Sequence, residues 1–288
     1  MRKIDFTVTE DFDSTTVQIF LRAKQKVSLR LIRSLKRVPN GIEKNGEQAR
    51  TIDIIHTGDT VTLNIPDEES EIAECNCELD VVYEDDDVIV VNKEAMMPIH
   101  ESHNHQGDTL QNAVLSYLNK KGKKVSFRAV GRLDKGTSGL VVCALNQHAA
   151  AWLSGKVKKE YLAIPTGQYT EDGTIDRPIF RPDPMKTIRI VDDRGDRAVT
   201  HYTVLKSSPR LSLLRVRLET GRTHQIRVHF AHLGTPLFGD RMYGEETDEI
   251  KHQCLHCAYA EFTHPITGEK ITCEAPMDKD MAKIAGRI

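Results

Sequence analysis

The sequence predicts an α+β protein: a mixed, mainly antiparallel sheet with flanking helices, preceded by a small helix-hairpin module. Three observations lead there. Strand-like runs outnumber helical ones, and several neighbours are joined by turns too short for a crossover helix, which disfavours a doubly wound parallel sheet. Residues 1–65 combine a basic helix with short alternating strands. PDEESEIAECNCE, at 66–78, has little to bury and reads as a linker, so the expected units are 1–78 and 79–288.

The elements follow in order. Val27, Leu31, Ile32 and Leu35 share one helical face, Arg30, Arg33, Lys36 and Arg37 lie beside or opposite it, and Ser28 is placed to cap the helix. Pro39-Asn40-Gly41 turns the chain into a strand near 41–43, Asn45-Gly46 is a tight hairpin turn, and HTGDTVTLNIP carries a turn and an alternating strand. Beyond the linker, 79–83 and 88–92 are strands split by an acidic turn. In DTLQNAVLSYLNKKG, Leu110, Ala113, Val114, Tyr117 and Leu118 form a helical stripe that Gly122 ends. Strand residues flank the turn in AVGRLDKGTSGLVV, at 129–142. A helix near 146–155, a strand at 159–166 and a weakly periodic stretch over 167–195 come next. Strands near 198–206 and 211–219, a helix at 223–233 and a strand near 258–263 complete the order.

Composition bounds the possibilities. The chain is long enough to bury a core without staples. It has no stretch of about eighteen apolar residues that would cross a membrane, and MRKIDFTVTEDFDS lacks the apolar core of a signal peptide. Cys75, Cys77, Cys143, Cys254, Cys257 and Cys273 are too scattered for a secreted disulfide framework, so a reducing cytoplasm is expected. The net charge of −2 hides an uneven distribution. Arg22 to Arg37 holds seven basic residues and no acid, whereas Asp67 to Asp87 holds eleven acids and no base. Such runs are ordinarily solvated faces; the helical pattern under the basic one makes it a candidate for phosphate contacts.

Three constellations carry chemistry. Asp134 lies between apolar strand residues, ahead of a Gly-rich turn, where a carboxylate is costly unless paired or in use. Its ordinary alternative is a turn cap bridged to Arg132. LETGRTHQIRVHFAHLGTPLFGD, at 218–240, places Arg222 at a strand-to-helix corner, by the positive helix end that suits a carboxylate. There Ile226, Phe230 and Leu233 read as core, and Arg222 and Arg227 as surface charges if the site is absent. In KVKKEYLAI, Tyr161 begins a strand after three lysines and could stack on a base, or be a core tyrosine. The crowded His252, Cys254, His256, Cys257 and His264 read as an alternating strand, and no metal is expected there.

GRLDKGTSGLVV, KEYLA and LETGRTHQIRVHFAHLGTPLFGD together resemble the RluA family of pseudouridine synthases, from about Leu79 to the C-terminus. The helix SLRLIRSLKR followed by NG and GDTVTL resembles the small RNA-binding domain named after ribosomal protein S-four. The first resemblance implies the pseudouridine synthase fold, with Asp134 catalytic, Tyr161 stacked on the uracil and Arg222 as the ion-pair partner of Asp134. It also implies Leu218 as an apolar wall of the base pocket and Arg132 as the residue that helps open the RNA. The second implies that Arg30, Arg33, Lys36 and Arg37 lie against RNA phosphates. The family's motif commonly begins with His before Arg-Leu-Asp; here Gly131 stands in that place.

The reaction so implied breaks the bond from ribose to the uracil nitrogen, turns the ring and rejoins it through a carbon. It needs a flipped-out base, a closed pocket and an ionised aspartate, either as nucleophile at the anomeric carbon or as base in a glycal route. No cofactor is required, and no G-x-x-x-x-G-K-[ST] phosphate loop occurs. The expected partner is ribosomal or transfer RNA, acted on by a monomer. Two other readings remain: an RNA-binding protein with an inactive synthase domain, which intact Asp134, Tyr161 and Arg222 argue against, and a glycosidase or nucleoside hydrolase with an aspartate nucleophile, which would want a second carboxylate as general acid.

Overall fold

The computed structural model describes residues 1–66, 73, 75, 77–102 and 105–288. Most of the acidic stretch read as a linker lies outside the described residues. Within it a disulfide joins Cys75 to Cys77, while the other four cysteines are free and buried. Among the described residues no helix is long and apolar enough to cross a membrane.

Residues 2–65 build a four-stranded antiparallel sheet in the order Arg2–Thr7, Thr60–Ile65, Ile42–Lys44, Glu47–Gln48. Asn45 and Gly46 turn the expected hairpin with positive φ at both positions. The helices Val17–Ala23 and Leu29–Leu35 bury Phe20, Leu21, Leu31, Ile32 and Leu35 against Ile4 and Leu63. Ser28 caps the second helix as its sequence predicts, its hydroxyl accepting from the Leu31 amide at 3.2 Å. With three apolar residues turned inward, Arg30, Arg33, Lys36 and Arg37 are left exposed.

Arg2 fastens this unit to the rest of the chain. Its Nε and Nη2 donate to the two oxygens of Asp87 at 3.1 and 2.7 Å, and Asn146 donates to the same carboxylate at 2.7 Å. Asp87 is 2% exposed, so those bonds replace the hydration it gives up.

The second sheet has ten strands. Eight run edge to edge as Gly173–Asp176, Val199–Ser207, Ser212–Leu218, Lys158–Ala163, Leu255–Thr263, Ser138–Ala144, Val88–Lys93 and Val81–Glu84. Lys270–Glu274 and Arg128–Ala129 pair beside this path. Every pairing is antiparallel except that of Ser138–Ala144 with Leu255–Thr263, so the mixed, mainly antiparallel sheet is the one the sequence predicts.

Alternation divides the central strands between two cores. Ile89, Val91, Val141 and Cys143 face the helix Leu110–Lys120, while Val88, Val90, Leu140 and Val142 pack with Ala149, Leu153, Ile226 and Phe230 from the helices Gln147–Leu153 and Gln225–His232. Covered on both faces, Ser138–Ala144 reads as a continuous apolar run. The parallel contact demands Gly139: a Cβ there would stand 2.3 Å from the Cys257 carbonyl oxygen.

Several elements differ from the sequence reading. The first strand, the strand Lys270–Glu274 and the C-terminal helix Lys279–Ala285 are short or weakly patterned, and the reading passes over them. Leu233, expected in the core, is 47% exposed, because the helix ends at His232.

Lys93, at the end of a central strand, is 2% exposed and donates from Nζ to the carbonyls of Glu94 and Lys135 at 2.8 and 3.2 Å. It thereby ties that strand to the loop carrying Asp134. Burial pushes its pKa down to about 7 from 10.5. The unfolded chain therefore holds this proton more tightly, and stability should rise with pH between those values. Urea unfolding over that range should show the rise in the wild type and a smaller one in Lys93→Met.

Candidate active site

The turn after Thr220 is set by one buried amide. Gln225 Oε1 accepts from the Arg222 amide and the Thr220 hydroxyl, both at 2.9 Å, while Nε2 donates to the Val199 carbonyl at 2.9 Å and to Thr200 Oγ1 at 3.1 Å. His224 is held in left-handed backbone, φ 57° and ψ 20°, so the helix starts at Gln225 and not at 223. This later start decides which arginine points inward.

The structure corrects the pairing expected for Arg222. Arg222 is exposed, donates from Nε to the Arg197 carbonyl at 3.1 Å and bridges to Asp196 at 3.4 Å. The partner of Asp134 is Arg227, whose Nη1 donates to Asp134 Oδ2 at 3.1 Å. Arg222 precedes the left-handed residue and turns outward, whereas Arg227 lies on the buried first turn of the helix.

Arg227 is itself clamped. Its Nε and Nη2 donate to Asp240 Oδ2 and Oδ1 at 2.7 and 2.8 Å, and Asp240, wholly buried, also accepts from the amides of Met242 and Tyr243. Burial works against the guanidinium charge, but the bonds to Asp240 and the charges of Asp240 and Asp134 outweigh it and hold the Arg227 pKa above its usual value. The result is a dry, fixed cation shared by two carboxylates.

Asp134 occupies the loop between Arg128–Ala129 and Ser138–Ala144, where the Thr137 amide donates to its carbonyl at 3.0 Å. Its Oδ1 has no hydrogen-bond partner among the described residues, so one oxygen is held by Arg227 and the other is open to a ligand. Gly131 has φ +81°, a conformation in which a residue with a β-carbon, such as the histidine that the resemblance leads one to expect there, would be strained.

Asp134, Tyr161, Leu218, Arg132, Arg222 and Arg227 line one cavity of about 880 Å³, a size suited to a small-molecule or nucleotide group. Tyr161 lies on the strand Lys158–Ala163, 7% exposed, and burial holds its phenol well above the usual range and therefore protonated. Leu218 ends its strand half-buried in the cavity wall. Arg132 is exposed at the cavity's rim and has no ion-pair partner among the described residues. The basic quartet at the N-terminal helix lines no part of this cavity.

His224 also lines the cavity. Its Nδ1 lies 2.8 Å from the Tyr243 hydroxyl, and Nε2 lies 3.9 Å from Asp134 Oδ2. The Tyr243 hydroxyl accepts from the Arg189 amide at 2.9 Å and can turn its own proton to His224 Nδ1. In that arrangement the single ring proton of the neutral imidazole sits on Nε2, toward the carboxylate. Burial lowers the imidazole pKa, and the cations of Arg227 and Arg189 act in the same direction against the pull of Asp134.

The histidine–cysteine segment is occupied with packing. Cys254, Cys257 and His256 are fully buried, and burial pushes the Cys257 thiol up to about 11. His256 Nδ1 meets Ser138 Oγ at 2.9 Å, and Ser138 donates to Asp278, the cap of the C-terminal helix, at 2.8 Å. Asp85, Asp87 and His264 do come together. Asp87, however, is taken up by Arg2 and Asn146, and His264 Nδ1 accepts from the amides of Ile266 and Thr267. The His264 proton therefore sits on Nε2, 2.8 Å from Asp85, and that nitrogen offers no lone pair to a metal.

Sequence reasoning missed Arg227, Asp240, Gln225 and His224 as members of the site. Every residue from Gln225 to Phe230 is buried, so periodicity gives no polar face on which an arginine would stand out. The available signal was a charged residue between apolar neighbours at the start of the helix, with a second carboxylate thirteen positions on.

Comparison with known proteins shows the family to which the chain belongs. The family described as RNA pseudouridylate synthase matches residues 87–232. The chain is 35% identical over 267 residues to "Uncharacterized RNA pseudouridine synthase YjbO" of Bacillus subtilis, covering 90% of this chain and 94% of that one. It is 37% identical to "Ribosomal large subunit pseudouridine synthase D" of Haemophilus influenzae over 78% of this chain and 75% of the relative. The solved structure of "Human RNA Pseudouridylate Synthase Domain Containing 1" superposes with a TM-score of 0.58 at 29% identity, over 69% of this chain and 83% of that one. The chain belongs to the RNA pseudouridylate synthase family and is an isomerase acting on RNA.

Proposed function

We propose that this protein isomerises uridine to pseudouridine in large-subunit ribosomal RNA, with Asp134 acting on the ribose of a flipped-out nucleotide. The observation that carries the reading is the contact of Asp134 Oδ2 with Arg227 at 3.1 Å in the cavity that Tyr161 lines. That bond fixes the carboxylate in the cavity with its second oxygen unpaired among the described residues, and a positioned carboxylate is what attack at C1′ and proton removal toward a glycal both require. Tyr161 packs against the base, Leu218 forms the apolar wall, and Arg132 stands at the rim where the RNA opens. Arg222 steadies the turn before the catalytic helix through Asp196 and Arg197. The choice of ribosomal RNA rests on the names of relatives from Haemophilus influenzae and Pseudomonas aeruginosa, both 37% identical.

Residues 1–78 serve as an RNA-binding unit resembling the S-four domain, with Arg30, Arg33, Lys36 and Arg37 on the phosphate backbone, and residues 79–288 as the synthase. The protein acts as a cytoplasmic monomer. The reaction balances without a cofactor.

Three measurements test this. Asp134→Asn should lower tritium release from C5-labelled uridine in deproteinised ribosomal RNA by at least about a thousandfold while RNA binding persists; retained turnover would sink the assignment. Asp240→Asn, which loosens Arg227 without touching substrate, should slow single-turnover isomerisation by about a hundredfold. Replacing Arg30, Arg33, Lys36 and Arg37 together by Ala should weaken RNA binding and flatten its dependence on salt, by a slope of about 0.7–0.9 per lost phosphate contact.

A further inference from the structure

Of the cavity-lining residues other than glycine, only His224 is in left-handed backbone. That conformation is costly, and such strain persists where the surroundings over-determine it. Here they do: Gln225 brackets the turn, and Tyr243 holds the imidazole both by its hydroxyl and by an edge-to-face ring contact with centroids 5.6 Å apart. What this arrangement presents to the cavity is the Nε2–H. At 3.9 Å from Asp134 Oδ2 it is too far for a direct hydrogen bond. It is near enough that one ligand oxygen could meet the donor while the carboxylate works on the neighbouring carbon.

Uracil offers such an oxygen at both stages of the reaction. The C1′–N1 bond breaks with its electron pair going to the ring; C1′–C5 then forms; C5 loses a proton and N1 gains one, so atoms and charges balance with no co-reactant. The charge on the departing ring spreads onto O2 and O4. O2 flanks N1 as O4 flanks C5, so exchanging N1 for C5 opposite C1′ also exchanges O2 for O4 at a fixed donor.

We propose that His224 is a substrate-contacting hydrogen-bond donor whose Nε2–H holds the uracil carbonyl beside the reacting bond, O2 before the ring turns and O4 after it. This rests on the assignment of Asp134 as the residue acting on the ribose. A neutral imidazole held in a dry site suits this role, because it stabilises charge as it develops and needs no reorganisation.

The test is a single-turnover comparison on large-subunit ribosomal RNA transcripts made with uridine, 2-thiouridine or 4-thiouridine, sulfur being the weaker acceptor. His224→Asn tolerates left-handed backbone and, being shorter, withdraws the donor from the Nε2 position; His224→Gln returns an amide N–H near that position. On the oxygen transcript the Asn variant should lose about a hundredfold in rate at unchanged RNA affinity and an unchanged circular dichroism spectrum, and the Gln variant should recover part of that loss. On at least one thio transcript the penalties of variant and sulfur should fail to add, since both remove the same bond. A wild-type rate for His224→Asn, or full additivity on both thio transcripts, overturns the proposal. Asp134→Asn run on the same transcripts separates the two claims. If it is inactive while the His224 penalties add, His224 alone is misassigned; if it retains turnover, the reading of Asp134 fails.

Discussion

The site depends on the chain of contacts from Asp240 through Arg227 to Asp134. A guanidinium taken out of water is expensive unless its donors are satisfied, and here three of them bond to two carboxylates. Asp240 takes two of those bonds, one on each oxygen, and its Oδ1 also accepts from two backbone amides, so it anchors the arginine and is not free to react. Asp134 takes one and keeps Oδ1 open. Two carboxylates on one cation thus play different parts because of how many partners each has, and not because of any difference in residue type.

That chain of contacts is positioned by backbone events some distance away. Gln225 fastens the turn before the helix to the strand Val199–Ser207, and this fixes where the helix begins and which arginine faces inward. On the opposite side, the close parallel contact at Gly139 and the buried amine of Lys93 fix the loop that carries Asp134. The two halves of the ion pair stand 93 residues apart in sequence. Both rest on the sheet's buried central strands, where packing leaves little room for either to shift.

Charge elsewhere is handled by the same rule. The acidic turn at 85–87 looks like a solvated run in the sequence, yet Asp87 is buried beneath Arg2 and Asp85 accepts from Tyr83 and from two amides. The basic run at Arg30, Arg33, Lys36 and Arg37, by contrast, stays exposed. The helix Leu29–Leu35 carries the first two of these and Lys36 is its C-cap; its only buried positions, Leu31, Ile32 and Leu35, are all filled by apolar side chains.

By itself the sequence determined the mixed, mainly antiparallel sheet, the helix of residues 110–120, the Ser28 cap and the Asn45-Gly46 hairpin, since each of these follows from local periodicity or turn chemistry. It also singled out Asp134, because a carboxylate amid strand-forming residues next to a Gly-rich turn stands out locally. The tertiary structure alone decided the partner of that carboxylate. Arg222 and Arg227 are both plausible in one dimension. The choice between them turns on a left-handed residue and a glutamine bracket whose acceptors lie 25 and 26 residues away on another strand. An ion pair is set by distance in space, and the start of a helix moves an arginine from one side of it to the other by a shift that hydrophobic patterning does not register.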